Sequence, residues 1–79
     1  NPVTSIAYSL AGRERVVIAV YDVTGALVRA LVDEVQDPSR YVVTWDGRNN
    51  AGTAMPSGVY FIRYRAGSYS FTKKAGLLR

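Results

Sequence analysis

The residues able to do chemistry are few and lie in five places. Asp33, Glu34 and Asp37 share one polar stretch, Asp46, Asn49 and Asn50 share another, Ser57 and Ser68 are separate, and Lys73-Lys74 stand near the end. Paired carboxylates set about 5 to 10 Å apart can cleave glycosides. The trio at 33, 34 and 37 has no cleft-forming insertion around it and reads as a solvated loop. Asp46, Asn49 and Asn50 offer oxygen ligands of the kind calcium takes, but without the acid-rich repeat of a strong calcium loop. An Asx-type turn explains the same residues. The chain contains no histidine and no cysteine. A Ser-His nucleophile at Ser57 or Ser68 is therefore excluded, and so are thiolate and imidazole metal sites. These residues imply no enzyme and no cofactor.

Charge narrows the partners. The 79 residues carry a formal net charge of +4. The arginines fall at 13, 15, 29, 40, 48, 63, 65 and 79, and no run of cations exceeds Lys73-Lys74. Nucleic-acid binding calls for a cluster, so this scatter argues against it. No apolar run approaches the roughly 20 residues of a membrane helix. The start is polar, with neither an initiator Met nor a signal-peptide pattern, which reads as a fragment or processed product.

The elements that must position these groups are short strands. Apolar and polar residues alternate in bursts separated by turn signals, the pattern of a sandwich or barrel. Thr4 to Leu10 places Ile6, Tyr8 and Leu10 on one face. Arg15 to Tyr21 is apolar on both faces and reads as a central strand. Asp22-Val23-Thr24-Gly25 is a turn, with Gly25 free to take positive φ. Ala26 to Val32 has an irregular pattern that a bulged strand explains better than its rival, a helical turn. Asp33 to Arg40 reads as a loop carrying Pro38. Tyr41, Val43 and Trp45 share a face of the next strand. Asp46 to Gly52 and Met55 to Gly58 are turns. Val59 to Ala66 sets Tyr60, Ile62 and Tyr64 against Phe61, Arg63 and Arg65. Gly67-Ser68 is a hairpin turn leading to a last strand from Tyr69 towards Leu78, in which Gly76 signals a bulge.

Trp45-Asp46-Gly47 is the most conspicuous motif. The favoured reading puts Trp45 between the sheets, with Asp46 capping the turn and Gly47 supplying its dihedrals. Sugar stacking by Trp45 is the alternative. Tyr60 reads as a core residue whose hydroxyl ties down a loop. Tyr21, Phe61 and Tyr69 would form a docking patch for protein or glycan if they surfaced together. Lys73 and Lys74 read either as a recognition handle or as charges that keep an edge strand from aggregating.

Four segments carry a family resemblance. Asn1-Pro2 with Ile6 to Leu10, Val20-Tyr21-Asp22-Val23-Thr24-Gly25, Val43 to Gly52, and Pro56 to Phe61 with the Lys73-Lys74 tail resemble, in order, the C-terminal sorting domains of type IX secretion. They also resemble the related immunoglobulin-like domain of flagellar hook-capping proteins. The resemblance implies one all-β, immunoglobulin-like sandwich of about seven antiparallel strands, with Gly25 and Gly58 at its turns. It implies an extracellular or cell-surface protein. The leading expectation is a non-catalytic sorting or surface-attachment module read by secretion machinery, with Lys73 and Lys74 as the handle. A structural subunit that contacts neighbouring domains or self-associates through edge strands is the alternative, and a carbohydrate-binding module the third.

Overall fold

A computed structural model of the chain describes residues 4–78. Asn1, Pro2 and Arg79, which take part in the resemblance, lie outside the described residues. The strands, in chain order, are β1 (Thr4–Leu10), β2 (Glu14–Tyr21), β3 (Leu27–Gln36), β4 (Ser39–Trp45), β5 (Gly58–Ala66) and β6 (Tyr69–Leu77). These six, one short of the expected seven, form two antiparallel sheets. β1 pairs with β4, and the larger sheet runs β3-β2-β5-β6. β2 is thus internal to its sheet, where the side chains of β3 and β5 flank its outward Val17, Ala19 and Tyr21.

The core lies between the sheets. Val16, Ile18 and Val20 of β2 face it, as do Tyr60, Ile62 and Tyr64 of β5, with Ile6 and Trp45 from the smaller sheet. Trp45, Ile18, Ile62, Val16 and Val20 are the largest fully buried side chains. At about 25 cal/mol per Å² of apolar surface, such side chains are the main stabilising element of a domain this small.

One expectation for the middle of the chain changes. β3 continues through Asp33 and Glu34 to Gln36, so the loop shrinks to Asp37-Pro38 between β3 and β4. Asp33 and Glu34 belong to the strand because they pair with Val17 and Val16 of β2, and Arg15 of β2 bonds the Asp33 carboxylate; Asp37, in the turn, is bonded by Arg13 at 2.6 Å. The irregular pattern of β3 comes from two bulges. Ile18 opposes Val32 and Ala19 opposes Ala30, leaving Leu31 unmatched; Val28 is skipped in the same way beside Tyr21. The extra residues return Val28 to the core and pack Leu31 and Val32 against it. At Gly76 the expected bulge is absent, since β5 and β6 stay in register from Gly58↔Leu77 to Ala66↔Tyr69.

The β2–β3 turn is built on Asp22. Its Oδ1 accepts bonds from the Thr24 N–H at 2.9 Å, the Thr24 hydroxyl at 2.6 Å and the Ala26 N–H at 3.1 Å. These bonds, led by that from the Thr24 hydroxyl, hold its carboxyl below the usual range. Gly25 follows with φ 87°, a left-handed conformation that suits a residue without Cβ.

Candidate functional site

The polar residues singled out in the sequence concentrate in the segment after β4. Trp45 is 1% exposed. Its indole meets the Tyr60 ring edge-on, with centroids 5.1 Å apart, and its Nε1–H donates to the Arg48 carbonyl at 2.9 Å. That bond satisfies the one polar atom of a buried indole. Tyr60 is equally enclosed, and its hydroxyl donates to the Pro56 carbonyl at 2.6 Å. The two rings therefore hold both ends of the segment from Asp46 to Ser57.

Within it, the oxygens turn towards the backbone and not towards one another. Asp46 Oδ1 accepts the Arg48 N–H at 3.1 Å and an Arg29 guanidinium N–H at 3.4 Å. Gly47 adopts φ 80°. Asn49 Oδ1 takes the N–H groups of Ala51 and Thr53 at 3.1 and 2.9 Å. The Arg48 guanidinium closes the loop on the Gly52 carbonyl at 2.9 Å. Asn50 reaches furthest: its N–H donates to the Val28 carbonyl at 3.0 Å, and its Oδ1 accepts the Ala30 N–H at 2.9 Å. Val28 and Ala30 lie on the free edge of β3, where the bulges interrupt the ladder. Asn50 thus behaves as a short substitute strand and covers an edge that would otherwise be open.

An oxygen already accepting main-chain bonds is poorly placed to ligate a cation, and Asp46 is the loop's sole carboxylate. Among the described residues, no three His, Cys, Asp or Glu side chains gather as a metal site. Millimolar calcium is therefore expected to leave the melting temperature unchanged. A rise that chelator reverses would show that the loop rearranges around the ion.

Other candidate groups are apart. Asp33, Glu34 and Asp37 lie along one edge, with Asp33 and Asp37 paired to arginines. A shallow hollow runs between Asp22-Val23-Thr24 and Met55 to Tyr60, but its carboxylate, Asp22, is engaged by its own turn. Tyr21 and Phe61 oppose each other on the outer face of the larger sheet. Tyr69 is not beside them: it pairs with Ala66 on the inward row, next to Tyr64 and Phe71. The three-ring patch does not form. Lys73 and Lys74 are both exposed, on opposite faces of β6 and opposite Ile62 and Phe61.

The described residues thus make a sandwich whose most polar loop is directed at its own backbone. A family model described as the FlgD Ig-like domain matches residues 3–70. The chain belongs to that family. The match takes in the Trp45-Asp46-Gly47 segment and the Asp22 turn and stops short of Lys73 and Lys74. No match was found among curated proteins or among solved structures. For an FlgD Ig-like domain, the contacts of Asn50 and Arg29 across to their partner segments were missed by sequence reading, because they join residues about twenty positions apart. Also missed was the gathering of Arg15, Arg63, Arg65 and Lys74 on one face. The period-two spacing of Arg63 and Arg65 was its one available signal.

Proposed function

We propose that the chain is a non-catalytic structural module of an extracellular or surface-associated protein, of the flagellar hook-cap kind, that packs against neighbouring domains of an assembly. The observation that carries this is the family match across residues 3–70, which spans nearly the whole sandwich. The internal use of Asp46, Asn49 and Asn50 supports it, since the conspicuous polar groups serve the fold and leave the sheet faces for contact.

A second reading rests on Lys73 and Lys74, which are exposed and form no ion pair among the described residues. As a sorting tag, the domain would offer them to secretion machinery. Fusing residues 1–79 to the C-terminus of a periplasmic reporter in a host with type IX secretion separates the two. The assembly reading expects the reporter to stay in the periplasm. Surface display that is lost in K73A/K74A, with the fold intact, would overturn it in favour of sorting. Both substitutions lie at exposed positions and are expected to change stability by no more than about 0.5 kcal/mol.

A further inference from the structure

The outer face of the larger sheet carries most of the molecule's charge imbalance. Strand register places side chains there in rows. One row reads Leu27, Tyr21, Phe61, Lys74; the next Ala30, Ala19, Arg63, Thr72; the next Asp33, Val17, Arg65, Ser70; and Arg15 and Val35 follow. The cations form a diagonal stripe from Lys74 on β6, through Arg63 and Arg65 on β5, to Arg15 on β2. Among the described residues, their only acidic company on this face is Asp33, which Arg15 engages. Arg63, Arg65 and Lys74 form no ion pair among the described residues. Four cations against one acid leave this face at +3, compared with +4 for the whole chain.

Spacing and flanks point to what fits. Residues two apart on a strand are about 7 Å apart, and neighbouring strands about 4.8 Å. The stripe is therefore on the order of 23 Å long, with charges about 7 to 8 Å apart. An extended polypeptide with a carboxylate at every second residue repeats at about the same interval. Small side chains flank the track: Ala19 is almost fully covered although it points outward, and Ser70 and Thr72 lie on the β6 side. At the Lys74 end, the exposed Leu27 and Val59 border the half-buried rings of Tyr21 and Phe61. A phosphate or sugar-acid polymer has nothing apolar to set on Leu27 and Val59, whereas a polypeptide does. Arginines match carboxylates and phosphates alike in a two-pronged fashion, so the apolar end decides between them. A second copy of this face is repelled by its charge.

We infer that the outer face of the β3-β2-β5-β6 sheet docks an extended acidic protein segment, its alternating carboxylates on Lys74, Arg63, Arg65 and Arg15 and an apolar end on Leu27 and Val59. This deepens the assembly reading and rests on it, because it names the chemistry of the neighbour.

The probe is a synthetic peptide of alternating threonine and glutamate that ends in alternating threonine and leucine. It is titrated into the domain at low ionic strength and followed by backbone amide NMR. Shifts are expected on the rows of the stripe and around Leu27 and Val59. R63Q/R65Q/K74Q is expected to weaken binding about tenfold. The equally discharged R13Q/R40Q/K73Q, altered away from this face, should weaken it no more than about twofold. Replacing the peptide's glutamates by glutamine should reproduce the tenfold loss with the protein untouched. Equal losses for the two protein variants, or no binding, overturn the inference. Tighter binding of a single-stranded oligodeoxythymidine on the same rows overturns it in favour of nucleic acid. A reporter retained in the periplasm together with a peptide that does not bind defeats the stripe and leaves the assembly reading standing. A reporter sent to the surface defeats that reading whatever the peptide does.

Discussion

Replacing Trp45 by alanine is expected to cost about 3–5 kcal/mol, the range for emptying a buried aromatic site. Several losses coincide at this position. The indole is 1% exposed and is the largest fully buried side chain. Its removal opens a cavity beside Tyr60 that the stiff strands cannot refill. The Tyr60 ring loses its edge-on partner, and the Arg48 carbonyl loses its nearer donor and keeps only the Arg29 guanidinium at 3.5 Å. The Asp46 loop then comes loose from the core, and Asn50 with it, so the β3 edge is uncovered as a secondary effect. A domain of this size has a total stability of roughly 4 to 12 kcal/mol. The variant should therefore be partly unfolded at room temperature. Because Trp45 is the chain's one tryptophan, the measurement is urea unfolding followed by far-ultraviolet circular dichroism. Trp45→Phe should cost less, since it keeps a ring against Tyr60 and gives up the N–H bond. A loss below about 1 kcal/mol for the alanine variant would mean that the ring does not fill the core in solution, and sugar stacking would again have a candidate.

The readability of this chain divides along the length of its contacts. β1, β4 and β5 follow directly from period-two alternation, because each has one face fixed by the core, and β2 follows from its continuous apolar run between turn signals. The Asp22 turn and the Gly67-Ser68 hairpin are equally plain, since the bonds that make them are local. β3 is legible only in part. Its two bulges move Val28 to the core face out of step with the alternation, and Asp33 and Glu34 look like loop residues until Val17 and Val16 appear opposite them on β2. The same limit governs the site. That Asp46 and Asn49 would close turns can be argued from their neighbours in sequence. That Asn50 would cap the free edge of β3 cannot, for nothing near it announces the gap at Val28 and Ala30. The arginine stripe is the extreme case. Arg15, Arg63, Arg65 and Lys74 read as scattered cations along the chain, and only the pairing of β2 with β5, and of β5 with β6, lines them up.

Tyr64 should show the largest contrast between two substitutions at one position. It lies on the inward row of β5, opposite Ile18 and Phe71. Its ring is 4% exposed and meets those of Tyr8 at 5.2 Å, Phe71 at 5.3 Å and Tyr69 at 6.1 Å. Tyr64→Ala removes the centre of this group and is expected to cost about 3–5 kcal/mol. Tyr64→Phe keeps every ring contact. The hydroxyl is not a buried atom lacking a partner and makes no hydrogen bond to another described residue. At neutral pH the phenylalanine variant should therefore match the parent within about 0.5 kcal/mol. The two proteins part in alkali. Burial, and then the negative field of Glu14 and Tyr69, raise the Tyr64 hydroxyl above its ordinary value of 10.0. Burial likewise raises Tyr8, against the opposing bond to Gln36. With the folded value above the unfolded one, the unfolded chain gives up a proton that the folded chain retains. Stability from this source is complete below the unfolded value and falls as pH rises towards and through the folded one. Urea midpoints for parent and Tyr64→Phe, compared at neutral pH and about pH 11, should show the smaller decline in the variant, with Tyr8 left to account for part of the remainder. Identical declines would mean that Tyr64 ionises as freely in the fold as in the unfolded chain, and that the ring group is open to water.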